Sequence, residues 1–236
     1  MSILTTIKQD GFIDSSKLAK WNIKVFGIGS IGATLIHQLA MVGFESITGY
    51  DFDTVDEENI GSQIFRKRHI GMKKTEALQQ MMKEDYDMEI AVIDGKIDEK
   101  TEIMPEDNTL YFCSFDSLEA RQMLWDKLKT FPIVWGESRI GRTSQRYYFI
   151  DLRLKDEEWK KKYEATLSTD GPRTELKCGE KGSYPSNAEL CGKICRQVVN
   201  IAEEKPLTTM FIGDWGNPHS VFVAPEEEVP SEISYD

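Results

Sequence analysis

Val25-Phe26-Gly27-Ile28-Gly29-Ser30-Ile31-Gly32 runs into an apolar stretch and then into Asp51-Phe52-Asp53-Thr54-Val55-Asp56-Glu57-Glu58-Asn59-Ile60-Gly61-Ser62-Gln63. Residues 23–27 are a short apolar run ending in glycine, the pattern of a buried parallel strand. Residues 31–42 are an apolar run of helical length, with little polar surface, that predicts a helix packed on a sheet. The glycines between them permit a tight turn and a close approach of backbone to phosphate. The helix start adds unpaired N–H groups and the positive end of the helix dipole. A glycine turn at a strand–helix junction needs no ligand. Here, however, Asp51 stands nineteen residues past Gly32 at the end of a second predicted strand, 46–51, where a carboxylate can accept from ribose hydroxyls. Gly27, Gly29, Ser30, Ile31, Gly32 and Asp51 are therefore the first candidate nucleotide contacts.

The pattern repeats along the first half. A helix is predicted over 74–85, strands over 89–93 and 109–114, a helix over 118–128 and a strand over 132–135, opened by a proline. Alternating strands and helices imply an α/β fold, a doubly wound and mainly parallel sheet. The second half differs. Strands are expected over 146–154, 210–214 and 221–224, with a turn at Gly216-Asn217-Pro218-His219. A charged surface helix is expected over 156–165 and an apolar-striped one over 187–203. Glycines and prolines crowd residues 168–185, which read as a long crossover loop. The expected organisation is one domain over 1–225, with its nucleotide-binding half near 20–145 and a smaller antiparallel C-terminal part over 186–225. Residues 226–236 hold five acids and no base and are expected to be a disordered tail.

Composition narrows the partners. The chain has 236 residues, 29 basic and 40 acidic, for a formal net charge of −11. That charge repels DNA or RNA phosphates and anionic membrane surfaces. No apolar run reaches the roughly 20 residues of a membrane span, and the first residues lack the pattern of a signal peptide. Four cysteines without paired spacing point to free thiols in a reducing compartment, and so to the cytoplasm.

Three further features favour ATP over a dinucleotide. Asp53, Asn59 and Gln63 make the segment after the second strand too polar for a core. Lys74, three residues past Gly71, can aim an ammonium at phosphates, although an ordinary solvated lysine has the same spacing. Asp116 lies just past the fourth strand, at the carboxyl edge of the sheet, where it can hold Mg²⁺ on ATP phosphates. Asp116 or Ser114 also suits the N-cap of the next helix.

Taken together, Gly27/Gly29/Gly32, Asp51-Phe52-Asp53-Thr54-Val55, Asn59-Ile60-Gly61-Ser62-Gln63, Gly71-Met72-Lys73-Lys74 and Asp116-Ser117-Leu118-Glu119-Ala120-Arg121 resemble the ThiF/MoeB/HesA group, the adenylating domain shared with ubiquitin-activating enzymes. The resemblance covers roughly residues 20–145 and is looser to about 205. It implies a Rossmann-like, ThiF-type fold. It also implies ATP-dependent adenylation of the C-terminal carboxylate of a small ubiquitin-like or sulfur-carrier protein, or of a peptide. By resemblance, Asp51 holds the ribose, Lys74 the phosphates and Asp116 the Mg²⁺, while Asn59 and Gln63 line the nucleotide site. A carrier ending in Gly-Gly and a homodimer are implied as partners.

The chain departs from the group's pattern in three places. Ser62 stands where the group carries an arginine, leaving Arg66 or Arg68 as substitutes, and the first 20 residues offer no arginine for a neighbouring subunit. The two C-x-x-C zinc pairs of many relatives are missing, so no structural zinc is expected; Cys191 and Cys195, on an apolar stripe, read as small core residues. Cys178, in Lys177-Cys178-Gly179, matches by position the cysteine some relatives use to take the acyl group, and equally suits an incidental exposed thiol. The alternatives are a non-catalytic nucleotide-binding subunit, a tRNA-threonylcarbamoyladenosine dehydratase-like relative, and an oxidoreductase, which the Asp51–Gln63 block and Lys74 disfavour.

Overall fold

The structure, a computed structural model, describes residues 11–141, 144–167, 184–214 and 217–223, the last stretch by its backbone. Its elements in chain order are α1 (Ser15–Leu18), β1 (Asn22–Phe26), α2 (Ser30–Val42), β2 (Ser46–Asp51), α3 (Lys74–Tyr86), β3 (Ala91–Asp94), β4 (Thr109–Cys113), α4 (Leu118–Leu128), β5 (Val134–Ile140), β6 (Ser144–Asp151), α5 (Glu157–Ala165), α6 (Tyr184–Ala202), β7 (Met210–Asp214) and β8 (Asn217–Val223). Short 3₁₀ turns at Glu57–Asn59, Lys67–His69 and Leu152–Leu154 link them.

One eight-stranded sheet carries the whole arrangement, in the order β3-β2-β1-β4-β5-β6-β7-β8. The first five strands in this order are parallel, and β5 to β8 are joined antiparallel. The chain winds outward from β1 to β3 on one side and from β4 to β5 on the other. The winding reverses between β1 and β4, which opens a crevice at their carboxyl ends, the usual ligand position in open sheets.

Two apolar clusters cover the two faces. On one, Ile31, Leu35 and Leu39 of α2, Leu78 and Met82 of α3 and Leu190, Ile194 and Val198 of α6 pack on Val25, Phe112 and Phe149. On the other, Leu124, Trp125 and Leu128 of α4 and Trp159 and Tyr163 of α5 pack on Tyr111, Cys113 and Trp135. Burying each such side chain contributes about 1.5–3 kcal/mol. α2 ends at Gly43, whose φ of 116° and N–H bonds to the Leu39 and Ala40 carbonyls make it a left-handed C-cap.

β1, α2, β2, α3, β4, α4 and β7 follow the sequence expectations closely, and β3, β5, β6, α5, α6 and β8 correct them. β5 starts after Pro132 rather than at it, and runs on to Ile140 through Glu137 and Arg139, because β6 lies antiparallel beside it. β6 ends at Asp151, and residues 152–154 coil into a 3₁₀ turn. β3 is shifted to 91–94, with Met88 and Ile90 buried as its lead-in. The 157–165 helix is more than a surface helix, since Trp159 and Tyr163 are buried. α6 begins at Tyr184, so Pro185 opens a helix instead of closing a loop; proline fits a first turn, where no N–H partner is lost. The expected turn around Asn217–His219 is instead the start of β8, which pairs with β7. The rest of the expected crossover loop, with Cys178, and the acidic tail lie outside the described residues.

Candidate active site

At the reversal point the end of β1 is tied to the end of β4. The Ser114 amide donates to Phe26 O (2.8 Å), and its hydroxyl donates to Gly27 O (2.7 Å). Gly27 turns at φ 95°, a region that L side chains avoid. A Cβ on Gly32 would stand 1.8 Å from Gly27 O, so only glycine lets α2 start this close to the turn. Gly29, the N-cap of α2, has open space where a Cβ would be, and no side chain caps it. The first turn of α2 therefore presents backbone N–H groups to the crevice.

Asp51 locks this loop to β2. It is buried, and its two carboxylate oxygens accept from Ile28 N (2.5 Å) and Asp53 N (2.7 Å). A carboxylate has about four acceptor positions, so Asp51 keeps capacity for ribose hydroxyls. The 52–63 segment is pinned against residues 71–74: Val55 N donates to Met72 O (2.8 Å) and Lys74 N to Asp53 O (2.9 Å). Lys74 is a buried lysine, not a solvated one, and its ammonium pairs with the Asp53 carboxylate at 2.7 Å. The two sequence blocks thus act as one structural unit.

These residues line one cleft of about 1260 Å³. Gly27, Gly29, Ser30, Ile31, Asp51, Asp53, Asn59, Gln63, Lys74 and Asp116 all contribute to its wall. Gly32 stands behind the wall, as the packing contact just described. The Asn59 Oδ1 accepts from Asp56 N (3.0 Å) and closes the 3₁₀ turn of the wall. Asp116 precedes α4, but the N-cap of that helix is Ser117, whose hydroxyl accepts from Ala120 N (3.1 Å). The N-cap alternative for Asp116 and Ser114 is thereby corrected: Ser114 is spent on the Gly27 turn, and Asp116 faces the cleft.

Ser114, Arg121 and Asn187 are among the wall residues that were not sequence candidates. Ser114 carried a readable signal, its place at the end of a strand beside the glycine loop. Arg121 carried another, its spacing from Asp116. Asn187, from the start of α6, donates to Ser62 O (3.3 Å) across 125 residues of chain, and no local pattern announces it.

The two expected substitutes for the missing arginine are paired elsewhere in this structure. Arg66 pairs with Asp85 (2.8 Å) and Arg68 with Glu84 (2.7 Å), both on α3, and neither lines the cleft. His69 is likewise buried away from it, with Nδ1 accepting from Arg66 N. Ser62 itself lines the wall as a small hydroxyl.

Among the described residues, six carboxylates (Asp51, Asp53, Asp56, Glu58, Asp116, Glu119) and two cations (Lys74, Arg121) line the cleft. A triphosphate in such surroundings needs added positive charge. Mg²⁺ commonly takes one or two carboxylates and completes its octahedron with phosphate oxygens and water, so Asp116 suits it in the presence of a polyphosphate. No group of three or more metal-ligating side chains stands together among the described residues, so a metal here would depend on the nucleotide. Cys191 and Cys195 are buried in the core beside α2, as their stripe suggested. Burial pushes the Cys113 and Cys195 thiols up to about 12 and the Cys191 thiol up as well, so none of the three is a ready thiolate. No helix among the described residues is long and apolar enough to cross a membrane.

A glycine loop at the reversal point of a doubly wound sheet, with an acid ending the second strand and a buried lysine beside it, is the architecture of a nucleotide-binding α/β fold. The chain matches the ThiF family over residues 3–207, and it belongs to that family. It is 37% identical over 83 residues to SUMO-activating enzyme subunit 2 of Dictyostelium discoideum, covering 34% of this chain and 13% of that protein. It is 28% identical over 103 residues to ubiquitin-like modifier-activating enzyme 5 of Oryza sativa subsp. japonica, covering 40% and 24%. The matched stretch thus spans under a quarter of either relative. Among solved structures, PaaA superposes with a TM-score of 0.68 at 21% identity, covering 89% of this chain and 75% of that one. E. coli MccB, solved with AMPCPP and MccA, superposes at 0.67 and 15% identity, covering 89% and 65%. These two likenesses concern the fold.

Proposed function

We propose that this protein is an ATP-dependent adenylyltransferase that activates the C-terminal carboxylate of a ubiquitin-like or sulfur-carrier protein, or of a peptide, as an acyl adenylate. One observation carries this: the open N-terminus of α2, the buried Lys74 and Asp116 share a single cleft large enough for a nucleotide and a chain end. In this mechanism Asp51 accepts from the ribose, and the amides at the start of α2 hold phosphate oxygens. The substrate carboxylate attacks the α-phosphorus. The bond to the β-phosphate oxygen breaks, and pyrophosphate leaves with the pair of electrons. Lys74 exchanges Asp53 for the phosphates and stabilises that leaving charge. Asp116 would hold Mg²⁺, which would supply the remaining charge neutralisation. Asn59 and Gln63 shape the nucleotide wall.

E1-type relatives and a fold neighbour solved with AMPCPP and MccA support a protein or peptide as the second substrate. A Gly-Gly-ending carrier, a homodimeric assembly and a cytoplasmic location belong to the same proposal. Transfer of the acyl group to Cys178, with release of AMP and formation of a thioester, would follow adenylation. The second reading, a subunit that binds nucleotide without turnover, is favoured by Ser62, since no other arginine of that segment enters the cleft. A tRNA substrate fits poorly with six carboxylates at the cleft wall.

Exchange of labelled pyrophosphate into ATP tests the proposal, with Gly-Gly-ending carriers and short peptides as acyl substrates. Wild-type protein should exchange, and Asp116→Ala should abolish it. Tight ATP binding with no exchange for any acyl substrate would leave the non-catalytic subunit. A carrier thioester that survives Cys178→Ala would remove the role of that cysteine.

A further inference from the structure

Behind Asp116 lies a charged cluster that the proposed chemistry does not use. Glu137, in the middle of β5, is fully buried. Its register partner on β4 is Cys113, so the carboxylate sits level with the end of β4, three residues before Asp116. Burying a carboxylate is costly unless partners replace its water. Glu137 has three. Arg139 grips it with Nε on Oε1 (2.6 Å) and Nη2 on Oε2 (3.2 Å), the Tyr163 hydroxyl donates to Oε2, and Arg121 Nε lies 3.4 Å from Oε1.

Each partner then reaches further. Arg121 starts in the second turn of α4, and its Nε donates back to Phe115 O at 2.9 Å, the carbonyl next to Asp116. Its Nη2 donates to Ser138 O (3.4 Å). Arg139 donates to the Thr166 carbonyl (2.8 Å) and hydroxyl (2.9 Å) at the C-cap of α5, and lies over the Tyr148 ring at 4.9 Å. The loop that carries Asp116 is therefore tied through one buried carboxylate to β5 and to the end of α5. A hydrophobic residue at 137 would suit the surrounding aromatic cluster and would need no such partners.

We infer that Glu137 is a positioning residue: it holds Arg121 on Phe115 O, and thereby fixes the Asp116 loop in the geometry that binds the metal–nucleotide complex. The inference rests on the proposed role of Asp116. Glu137 touches neither nucleotide nor acyl substrate, and its effect passes through Arg121. Outer partners of a metal-binding carboxylate typically change metal affinity by about 10–100-fold.

The test uses Glu137→Gln, which keeps the shape and removes the charge, and Arg121→Lys, which keeps the charge and loses the Nε bond to Phe115 O. Mn²⁺ binding to the ATP complex is followed by electron paramagnetic resonance, with ATP affinity in chelator measured alongside. Folding is checked by thermal melting. Both variants should bind Mn²⁺ in the ATP complex roughly tenfold more weakly or worse, and Glu137→Gln, which lies outside the cleft wall, should bind metal-free ATP within about threefold of wild type. The double variant should be no worse than the weaker single one, because both changes break one chain of contacts. Wild-type Mn²⁺ affinity in a folded Glu137→Gln protein, or losses that simply add, would overturn the inference. Should Glu137→Gln fail to fold, unchanged metal affinity in Arg121→Lys alone would overturn it. Because these measurements need no acyl substrate, a wild-type protein that shows no pyrophosphate exchange would sink adenylation and leave this result standing.

Discussion

The two ends of the cleft are built by different means. At the Gly27–Gly32 end the surface is backbone, held by Ser114, Asp51 and the absence of a Cβ. At the Asp116 end it depends on groups brought together from several elements: the Arg121 side chain of α4, which donates to Ser138 O and lies beside Glu137 on β5, and Asn187 from α6. In the proposed mechanism the first end holds the phosphates and the second holds the metal that lets them react. A change at the first should abolish binding, whereas a change at the second should leave metal-free nucleotide binding and alter metal binding and chemistry.

The largest expected effect lies at the backbone end. Gly32→Ala places a methyl 1.8 Å from Gly27 O, and the turn must open to accept it. We expect a stability loss of about 3 kcal/mol in urea denaturation and no measurable ATP binding by calorimetry. ATP affinity retained in Gly32→Ala would break the distinction between the two ends.

Lys74→Ala removes a buried cation and leaves Asp53 without that partner. Pyrophosphate exchange should fall by roughly 10²–10³-fold, the range seen when one charge-stabilising donor is removed. ATP binding should weaken less than the rate does, since Lys74 acts most on the charge of the leaving group.

Ser62→Arg should work in the opposite direction. The long-range hydrogen bond at this position among the described residues, from Asn187 to Ser62 O, uses the backbone and survives substitution. A guanidinium there should raise exchange about tenfold, roughly 1.4 kcal/mol of added charge stabilisation. A rate unchanged by the new arginine would mean that Lys74 already suffices.

How much of this was legible from sequence follows the same division. The phosphate loop and β2–Asp51 carry their signals within about 30 residues, where glycine spacing and hydrophobic period speak directly, although Ser114 ties the loop from further along the chain. The true length of β5 was hidden because Glu137 and Arg139 look like loop residues until β6 and α5 neutralise them. The start of α6 was hidden by Pro185, which breaks helices everywhere except the first turn. Arg66 and Arg68 looked available because their acidic partners on α3 lie 16 to 19 residues further on. Asn187 was invisible, since its neighbour in the cleft is 125 residues away.

The smallest effect is one of pH, away from both ends. Burial lowers the pKa of His37 and His69 from the ordinary 6.5, and for His69 the nearby Arg68 and Arg66 add to it. The folded protein keeps both neutral while the unfolded chain takes protons near pH 6.5, so stability should fall as pH drops through that value. His37→Gln and His69→Gln should each flatten the acid limb of a melting-temperature profile. An unchanged profile would place the acid sensitivity elsewhere.

The most direct measurement compares ATP and NAD⁺ in calorimetry, each with and without Mg²⁺. ATP should bind at least about tenfold more tightly than NAD⁺. Mg²⁺ should strengthen ATP binding in wild type and fail to do so in Asp116→Ala. Preferential binding of NAD⁺, or a Mg²⁺ effect that persists without the Asp116 carboxylate, would contradict an ATP site organised around that residue.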